Sequence, residues 1–314
     1  MPISKKSRLS LDSIYNPQCK KCSKEQRSTD DGLCQDVSSI IDAGKVRCIG
    51  PWAEEKIYYL TQYFSAFSIS MKNSWNSINY IEICSGPGRC INRENGTEFN
   101  GTPLSIIDTN GFKHIDNALF FDYNPSVVDT LNFRFKNRGI QNARAVIGNY
   151  MTSSIIESIK AQIPKNGLTL VFIDPTDLSI PFEFIKQIKS YLNKMDLMIN
   201  IAVGTDFNRN VKNAITKSGY QLTYQKYVTF LGSNEFLTDE RTISLAELGN
   251  QDQSLRNSFR QAYQKNLSKL GFNYFGTELV RHYYDILYAS AHERGIHLWK
   301  DVNKIEFDGQ RKLF

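Results

Sequence analysis

A glycine-containing stretch directly after a β-prone run has residue types that suit a charged ligand. Glu82, Cys84, Gly86 and Gly88 occupy every second position of this stretch. Glycine has no Cβ, so backbone amides can approach a ligand closely there. The stretch lacks the Lys-Ser or Lys-Thr of a P-loop, and Ile91 stands at the third glycine of the dinucleotide motif GxGxxG. Because Glu82 would repel a pyrophosphate, the pattern favours a ligand with a cationic amino group.

The spacing is that of E-x-G-x-G-x-G, which is typical of methyltransferases that bind S-adenosylmethionine, with cysteine in place of the first glycine. It predicts an S-adenosylmethionine site in which the cofactor contacts Glu82, Cys84, Ser85, Gly86 and Gly88. The alternative is a tight strand-to-loop turn that holds no ligand.

Acidic residues end three of the predicted strands, namely Glu82, Asp122 and Asp174. The carboxyl ends of parallel strands meet at one edge of a sheet, so we expect the three acids to surround one ligand. Asp122 is suited to accept both ribose hydroxyls of a nucleoside; alternatively, it caps the helix that follows. Asn149, just after the third predicted strand, is also predicted to bind the cofactor.

The sequence Asp174-Pro175-Thr176-Asp177 stands where amino-methylating enzymes carry (Asp/Asn/Ser)-Pro-Pro-aromatic. In those enzymes the acid and a neighbouring carbonyl accept hydrogen bonds from the target amine, and positioning supplies most of the rate. Asp174 and Pro175 are therefore the predicted catalytic residues, and Asp174 is also placed at the cofactor. Thr176 replaces the second proline, and Asp177 replaces the aromatic residue that would stack on a base. The alternative is that Asp174 is a buried turn residue.

The elements that would position these residues alternate regularly between strand and helix. Strands are predicted at residues 80–84, 118–122, 143–147, 168–174 and 196–203. Helices between them indicate a doubly wound, mostly parallel α/β sheet of the class I methyltransferase, Rossmann-like type. The polar stretch 92–100 is predicted to be a loop.

The chain divides into four predicted regions. A Cys-containing N-terminal extension covers residues 1–48, and the Rossmann-like cofactor-binding core covers 49–205. A helical lid or insertion follows at 206–271. Residues 272–314 complete the core with two antiparallel strands and a helix.

The bulk composition is that of a folded globular protein, since 41% of the 314 residues are hydrophobic. No apolar run approaches the ~20 residues of a membrane span, and the N-terminus lacks the apolar segment of a signal peptide. We therefore expect a cytoplasmic protein that does not bind membranes.

The net charge of +6 permits a nucleic-acid partner without requiring one. Basic and aromatic residues after residue 206 could follow an RNA or DNA backbone and stack on bases. These residues are Arg209, Lys212, Lys217, Tyr220, Tyr224, Lys226 and Tyr227. The alternative is a solvated helix face with tyrosines in the core.

Four of the six cysteines lie in the N-terminal extension, at Cys19, Cys22, Cys34 and Cys48. The first two form a CxxC pair, and structural zinc takes four such soft ligands in a tetrahedral site. The sequence predicts an all-cysteine zinc site, because no histidine lies nearby. The alternative is a flexible arm with ordinary thiols.

Several stretches together resemble one known family, the three-Cys-motif partner proteins, which are methyltransferase-like proteins of bacteria and their mobile elements. The matching stretches are residues 49–56, 80–89, 100–104, 172–175 and 283–299. The resemblance implies an S-adenosylmethionine-type Rossmann domain. It also implies association with a separate three-cysteine-motif protein that looks like a radical-type iron–sulfur enzyme. The three cysteines of the family name belong to that partner.

The resemblance also implies roles for the residues at the matching positions. It implies that Glu82, Gly86 and Gly88 hold the methionine end of the cofactor and that Asp122 holds its ribose. The chain departs from the family at Thr176 and Asp177, where an aromatic residue and a glycine are usual.

Taken together, the residues and the resemblance predict an S-adenosylmethionine-dependent methyltransferase that acts on nucleic acid at a base nitrogen. The alternative function is a binding protein with a methyltransferase-like fold, which serves its three-Cys-motif partner without catalysing transfer.

Overall fold

The computed structural model describes residues 13–19, 33–248, 252–281 and 283–312. These residues form two compact units. Unit 1 takes its residues from Met1–Asn149 and His297–Phe314, and unit 2 takes its residues from Tyr150–Ile296. No helix within the described ranges is both long enough and apolar enough to cross a membrane.

Unit 1 contains two groups of strands. Its elements up to residue 149 are β1 (Ile14–Tyr15), β2 (Leu33–Ser38), β3 (Lys45–Ile49), α1 (Trp52–Met71), β4 (Ile78–Ile83), β5 (Arg89–Asn92), β6 (Thr97–Asn100), α2 (Thr102–Ile107), β7 (Asn117–Asp122), α3 (Pro125–Asn137) and β8 (Ala143–Ile147). Strands β4, β7 and β8 are parallel neighbours in that order. The other five strands form a separate sheet in the order β1-β6-β5-β3-β2.

Helix α1 begins directly after β3 and precedes the strand that leads into the glycine stretch. Pro51 precedes it, and Glu54 and Glu55 lie in its first turn, where carboxylates stabilise the positive end of a helix. Its apolar face is buried, and the Phe64 ring contacts the Tyr80 ring of β4 edge to face at 5.2 Å. Contacts of this kind hold β4 in place, and the glycine stretch follows β4 directly.

The prediction of a loop over residues 92–100 is wrong, because β5 and β6 form an antiparallel hairpin there. The hairpin turns at Gly96, whose φ is +70°. The described part of the N-terminal extension also contains strands, since β1 pairs with β6 and β3 runs parallel to β5. Short polar strands of this kind show little hydrophobic alternation, so their pairing cannot be deduced from local sequence.

The fully buried carboxylate of Glu98 on β6 connects the parts of this sheet. Arg89 Nε donates to its Oε1 at 2.5 Å, and Ser39 Oγ donates to the same oxygen. Asn16 Nδ2 and the Ile40 N–H donate to Oε2 at 3.2 Å and 3.1 Å. One carboxylate thus joins three N-terminal residues to Arg89, which directly follows the glycine stretch.

Unit 2 holds the remaining strands and most of the helices. Its elements are α4 (Ser154–Gln162), β9 (Leu168–Ile173), α5 (Phe182–Tyr191), β10 (Lys194–Ile201), α6 (Asn208–Thr216), α7 (Gln221–Leu231), α8 (Glu235–Thr238), α9 (Glu240–Leu248), α10 (Asp252–Ser268), β11 (Tyr274–Val280), β12 (Tyr284–Ser290) and the start of α11 (Glu293–Val302). The predicted central strand is confirmed as β9, whose six residues are all buried and which runs parallel to β10. Strand β12 is antiparallel to both β10 and β11, as expected for the C-terminal strand pair. The predicted α/β class, with parallel strands and an antiparallel C-terminal pair, is confirmed.

A π-helical turn, Val203–Phe207, connects β10 to α6. The Phe207 N–H donates to the carbonyl of Ala202, five residues earlier, at 3.2 Å. The sequence predicted that the strand would extend to residue 203. Single π turns are rare and are often found at functional sites.

Helices α6 to α10 lie within residues 206–271, and they pack around aromatic side chains. The Phe207 and Phe259 rings lie 4.3 Å apart, and the Phe230 and Tyr263 rings stack at 4.6 Å. Tyr227 belongs to this core and is fully buried. The alternative of a core tyrosine therefore holds for Tyr227.

Candidate functional site

The glycine stretch of unit 1 forms a turn with a left-handed backbone at alternate residues. The φ angles of Cys84, Gly86 and Gly88 are +65°, +67° and +88°. At Gly88, an added Cβ would lie 2.8 Å from Leu131 Cδ1 of α3, so a side chain here would be strained and would displace Leu131. The three positions of the E-x-G-x-G-x-G pattern that favour glycine are thus the three that adopt positive φ. Cys84 carries a side chain in a conformation that costs roughly 1–2 kcal/mol for an L-residue.

Replacing Cys84 with glycine is expected to raise the free energy of unfolding by about 1 kcal/mol, because glycine adopts positive φ without strain. Urea denaturation followed by circular dichroism measures the change. Cys84→Ala is the matched control, since alanine removes the thiol but retains the Cβ, and it should give no gain. A Cys84→Gly variant less stable than Cys84→Ala would contradict the prediction.

Glu82, at the end of β4, is fully buried. Tyr80 donates its hydroxyl proton to Glu82 Oε2 at 2.9 Å, and the Thr102 hydroxyl donates to Oε1. Thr102 begins α2 and was not among the predicted site residues. Its neighbour Gly101 donates its N–H to the Gly88 carbonyl at 2.7 Å. Gly101 and Thr102 therefore hold the glycine stretch through hydrogen bonds to Gly88 and Glu82.

Asp122, at the end of β7, holds the glycine stretch through the backbone. Its Oδ2 accepts the Gly86 N–H at 3.0 Å, and its Oδ1 accepts the Asn124 N–H at 3.0 Å. A carboxylate has about four lone-pair sites, so both oxygens retain capacity for a further donor such as a ribose hydroxyl. Asn149, the remaining predicted cofactor residue of unit 1, is exposed just after β8.

Arg134 of α3 fixes the other side of the same turn. It is 3% exposed, and its Nη1 donates to the carbonyls of Pro87 at 2.5 Å and Lys45 at 2.9 Å. Its Nε and Nη2 form a bidentate pair with the Asp42 carboxylate at 2.7 Å and 2.8 Å. Burial alone would raise the pKa of Asp42, but the hydrogen bonds and charge of Arg134, together with the Gly44 N–H, lower this pKa to about 2.

The depressed pKa of Asp42 predicts an acid-sensitive contribution to stability. In the unfolded chain Asp42 takes up its proton near pH 3.8, whereas the folded protein resists protonation down to about pH 2. Ionised Asp42 therefore stabilises the folded protein by an amount on the order of 2 kcal/mol. This stabilisation is fully present above the pKa that Asp42 has in the unfolded chain, and it is lost as the pH falls towards 2. Asp42→Asn should be less stable than wild type at about pH 6 and should lose less stability between about pH 4 and pH 2. Urea denaturation at both ends of this range measures the difference, and parallel pH profiles would contradict the assignment.

The cofactor side of unit 1 contains groups suited to a nucleoside with an amino-acid tail. Ser85 is 6% exposed, and its buried Oγ has no hydrogen-bond partner among the described residues. Tyr123, directly after Asp122, is 57% exposed, and Ile147, which pairs with Asp122 across β7 and β8, is 53% exposed. The Ser85 hydroxyl at the turn and the exposed Tyr123 and Ile147 side chains beside Asp122 are groups suited to bind S-adenosylmethionine.

In unit 2, the predicted catalytic residues Asp174 and Pro175 follow β9 and are both buried. Asn200 of β10 donates its Nδ2 hydrogen to Asp174 Oδ1 at 2.9 Å. This orients the amide, so that the Asn200 carbonyl oxygen faces away from Asp174. That oxygen is buried and has no hydrogen-bond partner within the part of the chain that the structure describes. Asn200 was not predicted, although a lone amide within the apolar run 197–203 is a recognisable exception in the sequence.

Ion pairs of Lys226 connect the loop after Asp174 to helix α7. Asp206, in the π-helical turn, accepts the Leu178 N–H at 3.0 Å and a proton from Lys226 Nζ at 2.5 Å. Lys226 also lies 3.7 Å from Asp177 Oδ2. Burial alone would raise the pKa of Asp206, but the hydrogen bond and charge of Lys226, together with the Leu178 N–H and the Asn210 side chain, outweigh it and lower the pKa. Burial, followed by the charge of Asp206, raises the pKa of Tyr227, so that its phenol remains a donor.

The cysteine prediction is answered only in part. Cys19 and Cys34 pack against the apolar cluster that contains Cys48, whereas Cys22 lies outside the described residues. Within the described ranges, no group of three or more His, Cys, Asp or Glu side chains is arranged to hold a metal ion.

The chain was also compared with known proteins. No protein-family model matches it, and no curated protein does. Similar solved structures include an O-methyltransferase family protein from Burkholderia thailandensis (10% identity, 75% of this chain and 55% of that chain, TM-score 0.39). Others are the mitomycin 7-O-methyltransferase MmcR (9%, 74% and 54%, TM-score 0.37) and a SAM-dependent methyltransferase from Aquifex aeolicus (12%, 76% and 97%, TM-score 0.37). The chain spans about half the length of the first two.

Proposed function

We propose that the protein is an S-adenosylmethionine-dependent methyltransferase. The observation that carries this proposal is the turn after β4, in which three alternate residues have positive φ and Asp122 accepts the Gly86 N–H. The turn brings backbone and the orphaned Ser85 hydroxyl to the place where the tail of the cofactor would lie. Ser85, Gly86 and Gly88 would hold the methionine end, Asp122 the ribose, and Tyr123 and Ile147 the adenine.

Glu82 has a supporting role in this proposal. Because Tyr80 and Thr102 already donate to its two oxygens, its charge acts on the cofactor ammonium through the field at the end of β4. When bound, S-adenosylmethionine supplies an activated methyl group, so the protein needs mainly to orient the acceptor.

The proposed acceptor is a nitrogen that carries hydrogen, as in the amino or ring nitrogen of a base. Asp174 would accept one N–H of such a nitrogen, and Asn200 Nδ2 holds the Asp174 carboxylate in place through its hydrogen bond to Oδ1. The Pro175 carbonyl is the other acceptor that the motif would supply. Accepting these hydrogens would fix the direction of the nitrogen lone pair.

Nucleic acid is the proposed substrate class. Arg209, Lys212 and Lys217 are exposed on or next to α6, and Lys217 lies over the Tyr220 ring at 5.9 Å. Exposed cations interleaved with an aromatic ring suit a polynucleotide backbone and its bases. RNA and DNA both remain within this proposal.

The second candidate is the catalytically silent binding protein, and one observation favours it. Asp177, which stands where an aromatic residue would stack on a base, is committed to an ion pair with Lys226. In this second function, the protein would bind a three-Cys-motif protein, its proposed partner, without catalysing methyl transfer. The zinc site at Cys19, Cys22, Cys34 and Cys48 likewise stays a prediction.

The decisive experiment measures both cofactor binding and methyl transfer. Calorimetry tests binding of S-adenosylmethionine, and transfer of a tritiated methyl group is then measured on total RNA, DNA and protein. We expect binding by wild type, with label incorporated into RNA or DNA by wild type and not by Asp174→Asn. Absence of binding would overturn the methyltransferase assignment, and binding without any transfer would favour the silent alternative. Label in protein alone would refute the nucleic-acid assignment.

A further inference from the structure

Three buried oxygens between the end of β10 and the start of α6 have no hydrogen-bond partner within the described residues. They are Asn200 Oδ1, Thr205 Oγ1 and Asn208 Oδ1. Asn200 lies on β10, Thr205 lies in the π-helical turn, and Asn208 begins α6. Buried polar atoms are paired in the great majority of cases, so three exceptions within residues 200–208 indicate partners that a ligand supplies.

This stretch borders the loop that carries Asp174. Asn200 Nδ2 donates to Asp174 Oδ1 at 2.9 Å. The π-helical turn contacts the same loop, because Asp206 accepts the Leu178 N–H at 3.0 Å. The carboxyl ends of parallel strands are where α/β sheets bind ligands, and π-helical turns are frequent at functional sites. The three oxygens therefore lie in the region where the methyl acceptor would bind.

The hydrogen-bond chemistry of these oxygens selects a ligand that is rich in N–H groups. An amide oxygen only accepts, and the bond from Asn200 Nδ2 to Asp174 leaves the Asn200 oxygen as the atom available to a ligand. The Asn208 oxygen is likewise an acceptor, and the Thr205 hydroxyl can accept as well as donate. The region thus consists mainly of acceptors, and its substrate must supply the donors.

We propose that this stretch binds guanine as the base that accepts the methyl group, an inference that rests on the nucleic-acid methyltransferase function proposed above. Guanine carries a ring N1–H next to an exocyclic amine, so its Watson–Crick edge donates more hydrogens than that of any other standard base. Adenine and cytosine have only the amine there, and uracil and thymine have only a ring N–H. Asn200, Thr205 and Asn208 are thus specificity-determining residues for guanine.

The identity of the methylated base tests this inference directly. Total RNA and DNA are labelled by the full chain with tritiated S-adenosylmethionine and digested to nucleosides, which are separated and counted. We expect the label in a methylated guanosine or deoxyguanosine, and the sugar distinguishes RNA from DNA as the substrate. Label in the nucleosides of another base would overturn the guanine assignment and leave the methyltransferase function standing.

Variants of the turn test the role of its residues. Thr205→Val keeps the shape of the side chain but removes the hydroxyl, and Asn208→Ala removes the amide. Each should raise the KM for the labelled nucleic acid about 10-fold, the effect of one lost hydrogen bond, while the affinity for S-adenosylmethionine stays unchanged in calorimetry. Thr205→Ser retains the hydroxyl and should keep the wild-type KM. Asn213→Ala is the matched control, since Asn213 lies further along α6, is also half-buried and has no buried oxygen without a partner.

The outcomes separate this inference from the proposed function. If no label enters nucleic acid, the guanine assignment falls together with the nucleic-acid function. If guanine is labelled but Thr205→Val and Asn208→Ala keep the wild-type KM, the role of these residues is refuted and the function stands. A parallel loss of affinity for S-adenosylmethionine in both variants would show a structural role and would likewise refute the specificity assignment.

Discussion

Replacing Asp122 with alanine is expected to reduce the affinity for S-adenosylmethionine by about 100-fold or more. Two effects act together, because the variant loses the acceptor for the ribose hydroxyls and leaves the N–H groups of Gly86 and Asn124 without their carboxylate. Hydrogen bonds to a charged group contribute about 1.5–3 kcal/mol each, and about 1.4 kcal/mol corresponds to a tenfold change in affinity. Calorimetric titration measures the loss.

Asp129→Ala is the matched control for Asp122→Ala. It removes the same charge from an exposed position of α3, seven residues further along the chain, and should leave binding unchanged. Asp122→Asn retains one acceptor oxygen and should fall between alanine and wild type. Equal affinities for Asp122→Ala and wild type would remove Asp122 from the cofactor site, whatever the stability of the variant.

Replacing Glu98 with alanine should have the largest effect on stability, a loss of about 3–5 kcal/mol in the free energy of unfolding. The substitution leaves the guanidinium of Arg89, which is 2% exposed, without its carboxylate, and it also frees the donors of Asn16 and Ser39. A buried charge that loses its partner is far more costly than the loss of an exposed pair. Urea denaturation followed by circular dichroism measures the change.

Glu94→Ala, on the turn of the same hairpin, provides the comparison for Glu98→Ala. Glu94 is exposed, so its removal should alter the free energy of unfolding by no more than about 0.5 kcal/mol. Glu98→Gln, which keeps the shape and one acceptor, should lose less than alanine does. A Glu98→Ala protein as stable as Glu94→Ala would show that the N-terminal sheet does not depend on this carboxylate.

The parts of the fold that could be predicted from sequence are those in which local pattern and burial agree. Strand β9 is an apolar run broken only by Thr169 that ends before Asp174, and a strand buried on both faces requires a near-continuous run of this kind. The positive φ of Gly86 and Gly88 likewise follows from residue type. From these features, the sequence predicts where the turn lies and which acidic residues end the strands.

The N-terminal sheet shows what local pattern cannot reveal. Strand β1 has two residues, and its pairing with β6 joins positions more than 80 residues apart. Glu98, which holds this sheet together, is a charged residue in a polar stretch and is indistinguishable in sequence from a solvated glutamate. The contact of Thr102 with Glu82 is hidden for the same reason, since it depends on how α2 returns to the end of β4.

The π-helical turn at Val203–Phe207 also bears on how sequences should be aligned with this chain. A π turn holds one residue more than the α-helical turn it replaces, and in a lineage of related chains such a residue is gained or lost as a single-position gap. Losing it would rotate the rest of α6 by about 100° and remove Asp206 from Lys226 and the Leu178 N–H. In a sequence alignment, a one-residue gap between β10 and α6 would therefore identify related proteins in which Asp206 does not hold the loop after Asp174.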